Sequence, residues 1–188
     1  MLENEAMRIA IIGNSGSGKS TLARRLAERH GLPTLELDSV VWEPGKIAIL
    51  RSREETAADV EQFVTQNDRW VVEGCYGELV EAILPRCTEL IFLNPGAAVC
   101  LENNRRRPWE PHKYESAEAQ AGMLDALLAW VDAYYTRDDE WSLACHRRVF
   151  DNYGGKKIEI TGSIVSIFRG ATLYDTGCVK VRDFSLDW

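Results

Sequence analysis

No long apolar run occurs in this chain, so no stretch of it has the length needed to cross a bilayer as a helix. Cysteine is sparse and unpatterned. Cys75, Cys87, Cys100, Cys145 and Cys178 make an odd count with no Cys-x-x-Cys pair, which argues against a zinc ribbon and a disulfide framework and predicts a reducing cytoplasm. There is no basic excess either: Lys and Arg number 22 against 29 for Asp and Glu, a net charge of −7. That balance works against sequence-independent binding to nucleic acid, where neutralising phosphates supplies most of the affinity. The opening residues Met1, Leu2, Glu3, Asn4 and Glu5 are acidic and have no apolar run behind them, unlike a signal peptide. A soluble, cytoplasmic protein is therefore expected, with no membrane contact. Of the three histidines, His30 closes a helix as a dipole-favoured cap, and His112 and His146 have no partner at metal-ligand spacing. Internal repeats, low-complexity tracts and linkers are absent, so residues 1–188 read as one domain.

What the chain does have is a phosphate-binding loop. Gly13, Asn14, Ser15, Gly16, Ser17, Gly18, Lys19 and Ser20 follow the apolar segment Arg8-Ile9-Ala10-Ile11-Ile12 and are followed by Thr21 and a helix carrying Leu22 and Leu26 at i, i+4 spacing. Glycines at these positions let successive backbone N–H groups turn toward one anion, while Lys19 reaches the β- and γ-phosphates and the Ser20 hydroxyl ligates Mg²⁺. The helix opening at Ser20 adds its N-terminal dipole. ATP and Mg²⁺ are the expected ligands, with Gly13 through Thr21 binding the nucleotide.

Downstream, strand and helix signals alternate. Gly31-Leu32-Pro33 stops the first helix; residues 34–37 read as a second strand ending on Asp38; Pro44-Gly45 marks a turn; and Ser52-Arg53-Glu54-Glu55 has the form of a capping box opening a helix toward Asn67. Residues 70–73 form a third strand ended by Gly74, residues 78–84 a short helix stopped by Pro85, and residues 89–93 a fourth strand closed by Asn94-Pro95-Gly96. Helices follow over 97–107, 118–136 and 139–150, with Met123, Leu127, Trp130, Val131 and Tyr134 making one apolar stripe, then a fifth strand over 157–160. Residues 163–168 suggest a last helix and 172–181 a hairpin within a C-terminal extension over 163–188. The alternation predicts an α/β fold: a five-stranded parallel sheet with helices on both faces and ligands at the carboxyl ends of the strands. Asp38, Glu73 and Asn94 fall at such ends and are expected to share one rim with the phosphate loop.

The order of these elements resembles the small P-loop kinases, the group containing adenylate, shikimate and gluconate kinases. Three blocks carry a closer likeness, to a bacterial subgroup labelled adenylate-kinase-like or DNA topology modulation proteins: Arg8 to Thr21, Leu37-Asp38-Ser39-Val40-Val41-Trp42-Glu43-Pro44-Gly45, and Trp70-Val71-Val72-Glu73-Gly74-Cys75-Tyr76. The third block lacks both the Asp-Gly-Phe-Pro-Arg run of adenylate kinases and the Gly-Gly-Gly run of shikimate kinases, so neither acceptor carries over. The resemblance implies a P-loop NTPase fold and an ATP-dependent phosphotransferase acting on a small-molecule acceptor, a hydroxyl or a phosphate. Direct action on DNA, suggested by the subgroup's label, fits poorly with the acidic balance.

Phosphoryl transfer asks a protein mainly for positioning and charge. Lys19 is the expected phosphate clamp. Glu73 is the first choice for the carboxylate that works with Ser20 at Mg²⁺; its bland alternative is a solvated strand-end charge. The resemblance places Asp38 where it meets the acceptor hydroxyl, as base or positioning group; a turn or helix cap is the alternative. Trp42 and Tyr76 either wall the acceptor pocket or pack in the core. Arg105, Arg106 and Arg107, after Asn103 and Asn104, stand where related kinases carry a mobile lid, here about residues 103–116 with Pro108 and Pro111 near its hinge. Arg105 and Arg106 are the expected catalytic arginines; a solvated helix end is the alternative. Arg147, Arg148, Lys156 and Lys157 are weaker candidates for nucleotide contact. A nucleotide-gated regulatory protein with slow hydrolysis is the competing function.

Overall fold

Ile9 and Ile11 in β1 (Arg8–Gly13) belong to one apolar cluster and Ala10 and Ile12 to another, and all four are buried. Alternation in a strand sends successive side chains to opposite faces, so a strand apolar at every position must be covered on both. The computed structural model, which describes residues 6–43, 49–110 and 114–164, has that arrangement. Five parallel strands stand in the order β2-β3-β1-β4-β5: β2 (Thr34–Glu36), β3 (Trp70–Gly74), β4 (Glu89–Leu93) and β5 (Lys156–Ile160) around β1. β1 is thus central, paired through Ile11↔Glu73 with β3 and Ile11↔Ile91 with β4. The phosphate loop that follows it opens at the middle of the sheet's carboxyl edge.

On one face α1 (Lys19–His30) lays Leu22, Ala23 and Leu26 against Ile9, Ile11, Val71 and Ile91. On the other, Val60 and Val64 of α3 (Arg53–Gln66), Val80 and Ile83 of α4 (Gly77–Ile83), and Val149 of α8 (Leu143–Asn152) cover Ala10, Val72, Leu90 and Phe92. The α/β sheet with helices on both faces is the predicted fold class. Local chemistry sets the helix ends: Ser52 accepts from the Glu55 N–H at the start of α3, the serine half of the expected capping box, while the Glu55 carboxylate accepts from the Ser52 hydroxyl instead of the Ser52 N–H. Ser142 caps α8 by accepting from the Cys145 N–H while its hydroxyl donates to the Asp139 carbonyl, and Gly31 ends α1 at φ 62°.

Three expectations are corrected. Strand β2 stops at Glu36, and Asp38 opens the short helix α2 (Asp38–Val41) instead of ending the strand. The helix expected over 118–136 is broken into α6 (Ala117–Gly122), α7 (Leu124–Asp132) and a 3₁₀ turn (Ala133–Tyr135), because Gly122 weakens helical continuity and Met123, exposed, serves as the joint. The helix after β4, α5 (Ala97–Arg105), ends before Arg106 and Arg107. Beyond β5, Ile164 packs on the α1 face. The Pro44-Gly45 turn, Pro111, His112, the 172–181 hairpin, Cys178 and most of the 163–168 helix lie outside the described residues. No helix of the described residues is long and apolar enough to cross a membrane.

Candidate active site

The phosphate loop encloses its own lysine. Gly16 and Gly18 hold φ of 75° and 101°, a region that only glycine enters freely, and this curls the loop until the Lys19 ammonium donates to the Asn14 carbonyl at 3.0 Å. Lys19 is 9% exposed, its charge held at the loop's centre. A Cβ on Gly13 would meet the Leu93 carbonyl oxygen at 2.4 Å and one on Gly16 the Cys100 carbonyl oxygen at 2.4 Å, so the loop lies flush on β4 and α5.

Glu73 reaches in from the neighbouring strand and accepts a hydrogen bond from the Ser20 hydroxyl at 2.6 Å. Burial pushes its carboxyl pKa up, while Lys19 and the Ser20 bond pull it back toward the ionised form. One carboxylate, one hydroxyl and one ammonium are thereby gathered at the mouth of an anion-binding loop. The Ser17 hydroxyl, in the same loop, is buried with no hydrogen-bond partner among the described residues. A hard cation that keeps several waters and takes few protein oxygens fits Ser20 and Glu73, and phosphate oxygens fit Lys19 and the loop amides.

A cavity of about 450 Å³ opens over these groups. Ser15, Gly16, Ser17, Gly18, Lys19, Ser20 and Thr21 form one wall, Glu36, Asp38, Glu73, Gly74, Cys75 and Arg24 a second, and Asn103, Arg106, Arg107, Pro108 and Glu110 a third, with Ser163 and Ile164, the latter buried against Gly18, completing the lining. Asp38 thus faces the loop across the cavity. Its Oδ1 accepts from the Tyr76 hydroxyl at 2.8 Å, and Tyr76, 2% exposed, has its phenol pKa driven well up by burial and the Asp38 charge, so it stays a donor. The neighbouring Trp42 indole pulls that pKa part of the way back. Tyr76 and Trp42 therefore stand behind Asp38 and do not line the cavity. Burial pushes the Cys75 thiol up to about 12, which keeps it protonated and unreactive.

The other expected residues divide. Gly13 and Asn14 lie beneath the loop, with Asn14 Nδ2 bonded to the Val131 carbonyl at 2.9 Å. Arg106 and Arg107 line the cavity while pairing with Glu102 and Glu110; Arg105 does not line it and sits 3.9 Å from Glu102. Asn94 is likewise off the rim, donating to Glu159 at 3.1 Å. Arg147 makes two bonds to Glu159 and stacks over Phe92, Arg148 pairs with Glu81, Lys156 with Glu89, and Lys157 donates to the Phe150, Asp151 and Tyr153 carbonyls. None of those four lines the cavity. Among the lining residues not expected from the sequence are Arg24, one helical turn beyond Ser20, which periodicity would have found, Glu36, two residues before Asp38, and Ser163 and Ile164 beyond β5. His146 escaped too. It is fully buried between the Tyr134 hydroxyl (2.8 Å) and the Cys75 carbonyl (2.9 Å), contacts that no local pattern announces.

No protein-family model matches the sequence. Among individual proteins, a shikimate kinase of Xanthomonas axonopodis is 26% identical over 103 residues, 55% of this chain and 51% of that protein. An adenylate kinase of Pyrococcus horikoshii is 29% identical over 102 residues, 52% and 44% of the two chains. Over these stretches the chain is similar to small P-loop kinases. A protein of Archaeoglobus fulgidus, provisionally named an adenylate kinase, extends the kinship to 127 residues at 35% identity, 65% of each chain. The chain thus spans about half the length of the first two proteins and 65% of the third.

Proposed function

We propose that the protein is an ATP- and Mg²⁺-dependent kinase that transfers the γ-phosphate to a hydroxyl or phosphate group of a small molecule. The observation that carries this reading is the placement of Asp38 opposite the phosphate loop in one cavity, with Glu73 between them. A protein that only sensed nucleotide would need the loop, Lys19 and Ser20; a second carboxylate, braced by a buried tyrosine on the far wall, has work to do only if something other than nucleotide enters there. The relatives' names, shikimate kinase and adenylate kinase, support the same class of reaction. The two names share the reaction class and differ in acceptor.

In this reading the loop amides and Lys19 cradle the phosphates, and Ser20 with Glu73 positions Mg²⁺, which when bound neutralises charge on the phosphate oxygens. Asp38 orients the acceptor and takes its proton where the acceptor is a hydroxyl. Arg106 and Arg107 approach from the third wall, where closure of residues 103–116 as a lid would bring them over the transferring group. Arg105, which does not line the cavity, has no part in this reading. The test is transfer of ³²P from [γ-³²P]ATP to a panel of nucleoside monophosphates, sugar acids and polyols. One acceptor phosphorylated by the wild type, with activity lost in Lys19→Ala and in Asp38→Ala, is the expected result. Tight ATP binding with no transfer to any of them would point instead to a nucleotide-gated switch.

A further inference from the structure

In a phosphate loop the N–H groups point inward to the anion, so the carbonyls and several side chains point outward and need partners of their own. Here α5 supplies them. Asn103 Nδ2 donates to the Gly16 carbonyl at 2.8 Å, and Asn104 Oδ1 accepts from the Ser15 hydroxyl at 3.1 Å. Asn104 is 3% exposed and is itself held by its donation to the Cys100 carbonyl at 2.8 Å. The approach is close: a Cβ on Gly16 would stand 2.4 Å from Asn104 Nδ2. One turn further along the same segment come Arg106 and Arg107, which line the cavity. The loop and α5 are therefore joined by side-chain amides, and Arg106 and Arg107, just past the helix end, stay tied to it by the Arg106 N–H on the Glu102 carbonyl at 3.1 Å and the Arg107 N–H on the Asn104 carbonyl at 3.3 Å.

We propose that Asn103 and Asn104 are positioning residues of the nucleotide site, fastening α5 to the phosphate loop so that Arg107 is held in register with the bound phosphates. The inference rests on the reading of this cavity as a nucleotide site and deepens it. Without the fastening, the end of α5 shifts relative to the loop, and Arg107 loses the fixed distance that makes a charge effective against a phosphate. Asn103 is the better handle, because its side chain is exposed and makes no core contact.

A double-mutant cycle tests this with fluorescent N-methylanthraniloyl-ADP and Mg²⁺ as the probe, on the full chain. Asn103→Ala is expected to weaken binding about threefold to tenfold, in line with one hydrogen bond, while leaving the thermal midpoint of the nucleotide-free protein unchanged. Arg107→Ala should weaken binding in the wild type and do so at least about threefold less in the Asn103→Ala background, the size expected of coupled sites. Asn104→Ala, if it folds, should behave as Asn103→Ala does. Independent effects that multiply to within about 1.5-fold would overturn the fastening, as would an Arg107→Ala variant that binds like wild type. Lys19→Ala separates the two readings: if it binds the probe normally, the nucleotide site itself is misassigned, whereas lost binding with multiplicative Asn103 and Arg107 effects sinks only the coupling.

Discussion

Glu73 shows how one residue can be costly to the fold and necessary to the site. It is 4% exposed, and burial penalises its charge, yet the Ser20 hydroxyl and the Lys19 ammonium favour the ionised form. Replacing it by Gln keeps the shape and the Ser20 contact but removes the charge that attracts a cation. Calorimetric titration of Glu73→Gln should therefore show ATP binding without Mg²⁺ as tight as in the wild type or tighter, while the added affinity that Mg²⁺ confers falls about tenfold, the order of one lost charged contact. An unchanged Mg²⁺ increment would remove Glu73 from the metal's surroundings. At this scale the chain was partly legible. Lys19, Ser20 and Glu73 follow from a loop motif and a strand end, because both are local. That Tyr76 braces Asp38 is not local: the two are 38 positions apart, and only the pairing of β2 with β3 brings them to 2.8 Å.

Among the elements, the phosphate loop and the end of α1 contain the same backbone device in two settings. Gly16 and Gly31 both hold positive φ, 75° and 62°, but a Cβ at Gly31 would meet nothing within 4 Å, whereas at Gly16 it would strike backbone and side chain of α5 at 2.4 Å. Gly31→Ala should thus cost only the left-handed strain of an L-residue, about 1–2 kcal/mol by urea denaturation, with nucleotide binding intact. Gly16→Ala should push the loop off α5 and abolish binding of the fluorescent ADP; an alanine there that binds normally would contradict the packing described. The strands were readable from apolar runs bounded by turn residues, and the start of α3 from its capping box. The break at Gly122 was not, since the stripe from Met123 to Tyr134 has helical spacing whether or not the backbone is continuous.

Across the whole molecule, His146 ties together pieces that are far apart in sequence. A carbonyl can only accept, so Nε2 carries the proton toward Cys75, and Nδ1 accepts from the Tyr134 hydroxyl; the neutral ring is fully satisfied. Burial, with Lys19 and Arg137 adding repulsion, lowers its pKa to about 3. The unfolded chain takes up this proton near pH 6.5 and the folded one only near 3, so stability is intact above about pH 6.5 and declines below it, by up to about 1.4 kcal/mol per pH unit. Urea midpoints measured from pH 7 to 4 should fall more steeply for the wild type than for His146→Gln, which is less stable at neutral pH but has no proton to gain. Equal slopes would mean that His146 is solvated or already charged.

The sequence by itself determined the phosphate loop, the five strands and the doubly covered sheet, because glycine conformation, apolar runs and turn chemistry act over a few residues. Tertiary structure alone decided which charges meet. It brought Asp38 into one cavity with Lys19, kept Arg106 and Arg107 at that cavity and Arg105 off it, turned Asn94 away toward Glu159, and buried His146 without a charge. Those outcomes depend on strand order and helix placement, which bring side chains from distant positions within a few ångströms, and no local pattern carries that distance.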